Sequence, residues 1–329
     1  MRKAHVLLCG VAIAAAVSFL DCASANDEPA SLSFTRRDGA VEIAVGGKPF
    51  ATYVYKDDAI SRPYFAHLRA PGEIQVTRNH PPVKGEDSPD HDTFHPGLWM
   101  SFGDINGSDY WRLAAPVRVA SFATKSDDDP GSGNITARFD YLDQKDPKHV
   151  VCHEDFVCDI RPVPVGVLLC WDSTFSSDEP FTFGDQEEMG LGVRVATAIR
   201  AERESDVGLP PGNGEITNSK GGRNEKEIWG ETADWCDYSG VLEGERVGIA
   251  FFPHPKNFRP CWYHSRDYGF IAANPFGRAA FGKGEKSAVT VKPGETLRLR
   301  YGVLVHAAPE ESPLDIAAEY RDYVELAGN

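Results

Sequence analysis

Val41-Glu42-Ile43-Ala44-Val45-Gly46-Gly47 is the stretch on which the fold is decided. Its first five residues suit a half-buried strand, and Gly46-Gly47 supplies the positive φ that a tight hairpin turn demands. Residues 50–55 then read as the returning strand. Outward from this hairpin the pattern stays β. Residues 117–124 and 135–142 read as a strand pair around the turn-rich 127–133. Further strands are expected at 150–160, 165–171, 192–198, 247–252 and 270–273. A last hairpin is expected from 288–291 and 297–306 around Pro293-Gly294-Glu295. Turn signals recur about every 10 residues, which favours an all-β, large antiparallel β-sandwich over alternating βαβ units. One C-terminal helix is expected. Ser312 would be its N-cap and Pro313 its first residue, with Leu314, Ala317, Tyr320 and Val324 on one face covering a sheet edge. Residues 209–224, with Pro210-Pro211 and several glycines, read as a long loop or lid, with a linker between halves as the alternative.

Residues 1–25 read as an export leader, and 26–329 as a single domain. Arg2 and Lys3 make a positive start, 6–20 is an apolar run, and Ala23-Ser24-Ala25 is a small-residue cleavage pattern. Cleavage after Ala25 would place the mature chain in the periplasm or outside the cell, with no further segment apolar enough to span a membrane. The full chain has 34 basic and 49 acidic residues. Without Arg2, Lys3 and Asp21 these become 32 and 48. An acidic chain without a basic stripe repels phosphate backbones, so nucleic acid is not an expected partner; a carbohydrate or other small molecule is. Five cysteines would remain, Cys152, Cys158, Cys170, Cys236 and Cys261. With no C-x-x-C pair among them, buried, unreactive thiols are expected rather than a structural zinc site.

Asp90-His91-Asp92-Thr93-Phe94-His95-Pro96-Gly97-Leu98-Trp99 carries the densest chemistry. Pro89 and Pro96-Gly97 argue against a helix, so His91 and His95 are expected on a loop feeding a strand. Far downstream, His264 and Arg266 lie two apart on an extended segment and should face the same side. His91, His95, His264 and Arg266 are therefore the expected catalytic set, converging on one cleft. Histidines would supply acid/base work and Arg266 would stabilise charge. No cofactor is fixed by the sequence. A divalent metal would draw on His91 and His95, with Glu188, Asp185 or Asp267 as a third ligand. Arg194 reads as an ion-pair partner of Glu187 or Glu188, or as a substrate clamp. Substrate binding is assigned to Trp99, Arg194, Trp229 and Trp262 together with Asn218, His254, Asn257 and Asn274, since indole faces stack on sugar rings and amides bond hydroxyls. Most tryptophans in a sandwich of this size are expected in the core.

Several blocks together resemble a family of exported bacterial proteins often labelled methane oxygenase PmoA. They are Arg62-Pro63-Tyr64-Phe65, Thr77-Arg78, the 91–99 stretch, Gly103-Asp104-Ile105-Asn106-Gly107 with Trp111, Gly190-Leu191-Gly192-Val193-Arg194-Val195 and Asn218-Ser219. Ile228-Trp229-Gly230, Asp234-Trp235, Asp237-Tyr238-Ser239-Gly240, His254-Pro255 with Asn257, His264 to Gly269, and Asn274-Pro275-Phe276-Gly277 complete the set. This sequence departs from the family in its first block, where the usual His-Pro-His-His-Arg-Gly is replaced by a longer stretch with one His fewer. The resemblance implies a β-sandwich of supersandwich type, and relatives that accompany carbohydrate genes. An exported carbohydrate-active enzyme, acting by hydrolysis, elimination or epimerisation at a sugar carbon, is the leading expectation. A non-catalytic sugar-binding module and a metal-dependent oxygenase are its rivals.

Overall fold

The computed structural model describes residues 1, 31–126, 131–204, 208–312 and 314–328. The leader lies outside them. Two eight-stranded sheets form the molecule. The first runs β1 (Leu32–Arg37), β2 (Ala40–Val45), β3 (Lys48–Val54), β4 (Tyr64–Ala66), β7 (Leu98–Phe102), β13 (Met189–Arg194), β18 (Phe270–Asn274), β17 (Trp262–Arg266). The second runs β14 (Glu215–Asn218), β15 (Cys236–Leu242), β16 (Glu245–Pro253), β20 (Leu297–Pro309), β11 (Gly166–Ser176), β10 (Val150–Val163), β9 (Gly133–Leu142), β8 (Val117–Ser126). Two small ribbons, β5 (Arg69–Ala70) with β6 (Ile74–Gln75) and β12 (Phe181–Phe183) with β19 (Val289–Val291), complete the strands. Neighbours within both sheets pair antiparallel, as the hairpin pattern requires.

The period of two decides what lies between the sheets. In β20, Leu299, Tyr301, Val303 and Val305 join the inter-sheet core, while Leu304 faces outward under the C-terminal helix α2 (Ile316–Leu326). In β7, Leu98, Met100 and Phe102 point inward, and Trp99 joins a separate outer cluster with Tyr64, Trp111 and Phe270. Both outer faces of the sandwich thus carry buried apolar clusters in their middle. The helical reading shifts by one turn. Asp315, not Ser312, caps α2, its side chain accepting from the Ala318 amide, and Pro313 lies outside the described residues.

Three further expectations change. The last hairpin does not form: β19 pairs with β12, and β20 is a central strand between β16 and β11, where ladders of nine or more residues on each side satisfy its backbone. The strand expected at 192–198 starts earlier, at Met189, and ends at Arg194, before a 3-10 turn at Thr197–Ile199. The expected lid at 209–224 instead supplies β14 and the start of the short helix α1 (Asn224–Ile228). Cys152, Cys158, Cys170, Cys236 and Cys261 are free thiols, and burial pushes all five above their ordinary pKa.

One carboxylate sits inside the core. Glu154 accepts from Tyr141 Oη at 2.7 Å and Ser173 Oγ at 2.5 Å, and burial raises its pKa to about 7. A raised carboxyl pKa means that folding favours the protonated form. The corresponding stability is complete below the ordinary value of 4.5 and is lost as pH rises through the folded value of about 7. The loss amounts to about 3 kcal/mol. Glu154→Gln is expected to flatten that slope, read from urea midpoints at about pH 5 and about pH 8. Identical slopes in variant and wild type would refute the assignment.

Candidate active site

The outer face of the first sheet gathers the expected residues. Its register places Trp99 beside Gly192, Gly192 beside Ala272, and Ala272 beside His264, while Arg194 and Arg266 both neighbour Phe270. Alternate residues of four strands therefore point to one side. Arg78 builds the loop above them. Its buried guanidinium donates to the carbonyls of Ser88, Asp90, His91 and His95. His91 is held with a left-handed φ of 50°. Gly97 closes the loop against β4; a Cβ there would lie 2.1 Å from the Phe65 carbonyl oxygen, so no other residue fits.

The histidines differ sharply in environment. His91 is exposed, contacts Asp90 through Nδ1 at 2.8 Å, and stacks on His95 with ring centroids 4.6 Å apart. His95 is 4% exposed and is enclosed by His91, Trp99 at 5.0 Å and Phe270 at 4.7 Å. Burial first, then the charges of Arg194, His91, Arg78 and Arg62, holds His95 far below the ordinary imidazole range. His264 meets the same Phe270 ring edge-on at 5.0 Å, so the His95 and His264 rings lie under about 10 Å apart, with the phenyl between them. Burial and then Arg266 lower His264 to about 3. Both buried imidazoles are therefore neutral at physiological pH.

Glu187 completes the His264 corner. Its Oε2 lies 3.5 Å from His264 Nε2 and 3.4 Å from Arg266 Nη2. His264 Nδ1 donates to the Glu187 carbonyl at 3.3 Å, which leaves Nε2 as a buried acceptor without a hydrogen-bond partner. The 3.5 Å contact is proximity rather than a bond. Partial burial and then Glu188 raise the Glu187 carboxyl above its ordinary value; Arg266 and Arg112 oppose the shift. Arg266 also donates to Glu225 at 2.7 Å and stands 5.8 Å from the Trp229 ring, which packs on Phe281. Glu225 is fully engaged, because its other oxygen accepts from the Asp267 amide. In the sequence Glu187 stands out only as an ion-pair neighbour of Arg194. In the structure Arg194 pairs bidentately with Asp90, both bonds 2.8 Å, and lies over the Tyr268 ring.

The substrate-binding set divides. Trp229 and Trp262 are partly exposed on this face. Trp99 is wholly buried and cannot stack on a ligand. Asn274, also buried, donates to the carbonyls of Gln186 and Glu187 and accepts from the Phe276 and Gly277 amides; it positions Glu187 rather than meeting substrate. Asn218 caps the turn at Lys220 and Gly222 on the edge of the second sheet. His254 and Asn257 belong to the other sheet altogether. His254 accepts from Arg300 and Lys256 and contacts the Gly328 carbonyl, and Asn257 bonds both backbone groups of Arg300.

The metal candidates do not fit an ion. Two imidazoles stacked 4.6 Å apart and nearly parallel hold their lone pairs side by side, whereas a common metal at about 2.1 Å from each nitrogen needs them convergent. Glu188 is bonded to Arg112, Asp185 accepts from the Ala279, Ala280 and Ser287 amides, and Asp267 accepts from the Glu225 amide. Among the described residues no three His, Cys, Asp or Glu side chains cluster as ligands, and no helix is long and apolar enough to cross a membrane.

The model of a family of unknown function, DUF6807, matches residues 40–321. No curated protein matches the chain significantly in sequence. Among solved structures, the chain is similar to a GH36 alpha-galactosidase from Geobacillus stearothermophilus, at 9% identity and a TM-score of 0.44, covering 85% of this chain and 41% of that one. It is also similar to a galactose mutarotase-like protein from Clostridium acetobutylicum, at 11% identity and a TM-score of 0.36, covering 86% of this chain and 100% of that one. This chain thus spans about two fifths of the alpha-galactosidase.

Proposed function

The chain belongs to DUF6807, a family of unknown function, and on that premise we propose that it is an exported carbohydrate-active enzyme that moves a proton at a sugar carbon. The observation that carries this reading is the Glu187–His264 corner, a solvent-reachable carboxyl with a raised pKa beside a neutral, partnerless imidazole nitrogen. Glu187 takes the C–H proton and passes it to the leaving oxygen as the C–O bond breaks and a C=C bond forms. His264, whose Nε2 is buried 3.5 Å from that carboxyl, backs Glu187 with a neutral ring and does not itself meet the sugar. Trp229 offers an apolar face. Arg266, already shared by two carboxylates, orients Glu187 rather than stabilising new charge. Hydrolysis at a glycosidic bond calls on two working carboxylates, and epimerisation on a proton donor facing the other side of the ring; Glu225 is engaged, so elimination with Glu187 as both base and acid is favoured. This moves acid/base work from the buried histidines to Glu187, because burial makes His95 and His264 weak proton acceptors.

A panel of aldoses, methyl glycosides and uronates, followed by proton NMR with and without a chelator, tests the reading. Turnover that survives chelation is expected. Saturable binding without turnover would favour a binding module. Turnover lost to chelator and restored by a divalent metal would favour the oxygenase-like reading that the methane oxygenase PmoA label suggests. Export is a separate proposal, resting on the 1–25 pattern; N-terminal sequencing of the secreted protein should begin near Asn26, and retained Met1 would refute it.

A further inference from the structure

The opposite face of the molecule holds a cavity of about 440 Å³ that the first-sheet site does not use. Its floor is the outer side of the second sheet. Ser239 and His306 both stand beside Gly248 in the register, one on each flanking strand. A Cβ on Gly248 would lie 2.6 Å from the Ser239 Cβ, so the bare backbone there keeps the floor open. Across that gap His306 Nε2 donates to Asp237 Oδ1 at 2.8 Å, and Nδ1 is left buried with no hydrogen-bond partner among protein atoms. Helix α2 seals the sheet farther along, with Tyr323 packed on Gly302 and Tyr320 near Phe252. Its first turn stops at the rim of the cavity. Trp235, partly exposed, makes an apolar wall with Leu314, and Thr217 adds a hydroxyl.

We infer that this cavity is a second ligand site, built for one ring of a neutral saccharide stacked on Trp235 with its hydroxyls on Asp237, Ser239 and Arg246. The volume lies in the range of small-ligand pockets. Charge selects the class. Glu215, Asp237, Glu310 and Asp315 line the cavity against Arg223 and Arg246, and both arginines lean on Glu215, so an anionic ligand finds no free cation. An indole wall above a floor of hydroxyl, carboxylate and imidazole groups matches the apolar and polar sides of a sugar ring.

The test uses the full chain labelled with nitrogen-15 and follows the Trp235 indole and His306 imidazole signals during titration with methyl β-glucoside, methyl β-galactoside, methyl β-xyloside and cellobiose. Glucuronate serves as the anionic control. At least one neutral sugar should shift both signals saturably. Trp235→Ala, read at His306, and Arg246→Ala, at a partly exposed position, should each weaken binding at least ~10-fold, while Glu187→Gln leaves it unchanged. The inference is overturned if no neutral sugar moves these signals, if glucuronate binds as tightly as the best sugar, or if both variants bind as wild type does. Because the first-sheet site is read at His264 and Glu187, failure of either assignment leaves the other separately measurable.

Discussion

Arg78→Met is expected to destabilise the fold by about 3–5 kcal/mol. Arg78 is 1% exposed, and its guanidinium satisfies four carbonyls of the loop that carries His91 and His95. Methionine fills much of the same volume but donates nothing, so those buried oxygens lose their partners and Asp90 loses a nearby positive charge. The strained backbone at His91 then has no reason to persist. Urea unfolding gives the stability change, and hydrogen exchange over 88–96 reports loosening of the loop. A change below about 1 kcal/mol with unaltered exchange would show that water can replace the guanidinium there.

Glu187→Gln should lower kcat by about 10²- to 10⁴-fold on any saccharide the wild type turns over. Stability should stay nearly constant, because the side chain is one-third exposed and packs little. The pH profile separates a base from a mere neighbour. Glu187 must be ionised to accept a proton, and its pKa is raised, so kcat/KM should fall with decreasing pH at a value above the ordinary glutamate range. His264, lowered to about 3, cannot account for that limb. Glutamine at 187 should abolish the limb. Glu188→Gln is the control: that carboxylate is bonded to Arg112, so its loss should change the plateau rate little while moving the limb to lower pH, because the Glu188 charge helps to raise Glu187. Equal losses from both variants would point to a general electrostatic effect instead.

What could be read from the chain was what depends on local period and turn chemistry. The hairpin at 41–55 was legible because alternation and Gly46-Gly47 act over a few residues. The common side of His264 and Arg266 followed from their spacing of two. Glu187 was not legible. It gains its meaning from β17, which reaches it through β18, and from Asn274, which grips its carbonyl from 87 residues away. His254 and Asn257 misled for the same reason. A histidine between prolines looks like a site loop, yet Arg300, more than forty residues downstream, engages both. His95 was expected at a cleft and is instead a stacked core imidazole, because Gly97 draws its loop tight against β4. The cavity over Gly248 was equally invisible, since its three floor residues come from three strands.

Saccharide is expected to bind on the outer face of the first sheet at Glu187, beside His264, and the nitrogen-15 imidazole spectrum of the full chain during a saccharide titration reads this at the site itself. Ten histidines give ten reporters. The His264 Nε2 signal, 3.5 Å from the Glu187 carboxyl, should move saturably, and His254, locked between Arg300 and the C-terminal segment, should stay still. A His264 signal that does not respond to any saccharide the protein turns over would contradict it.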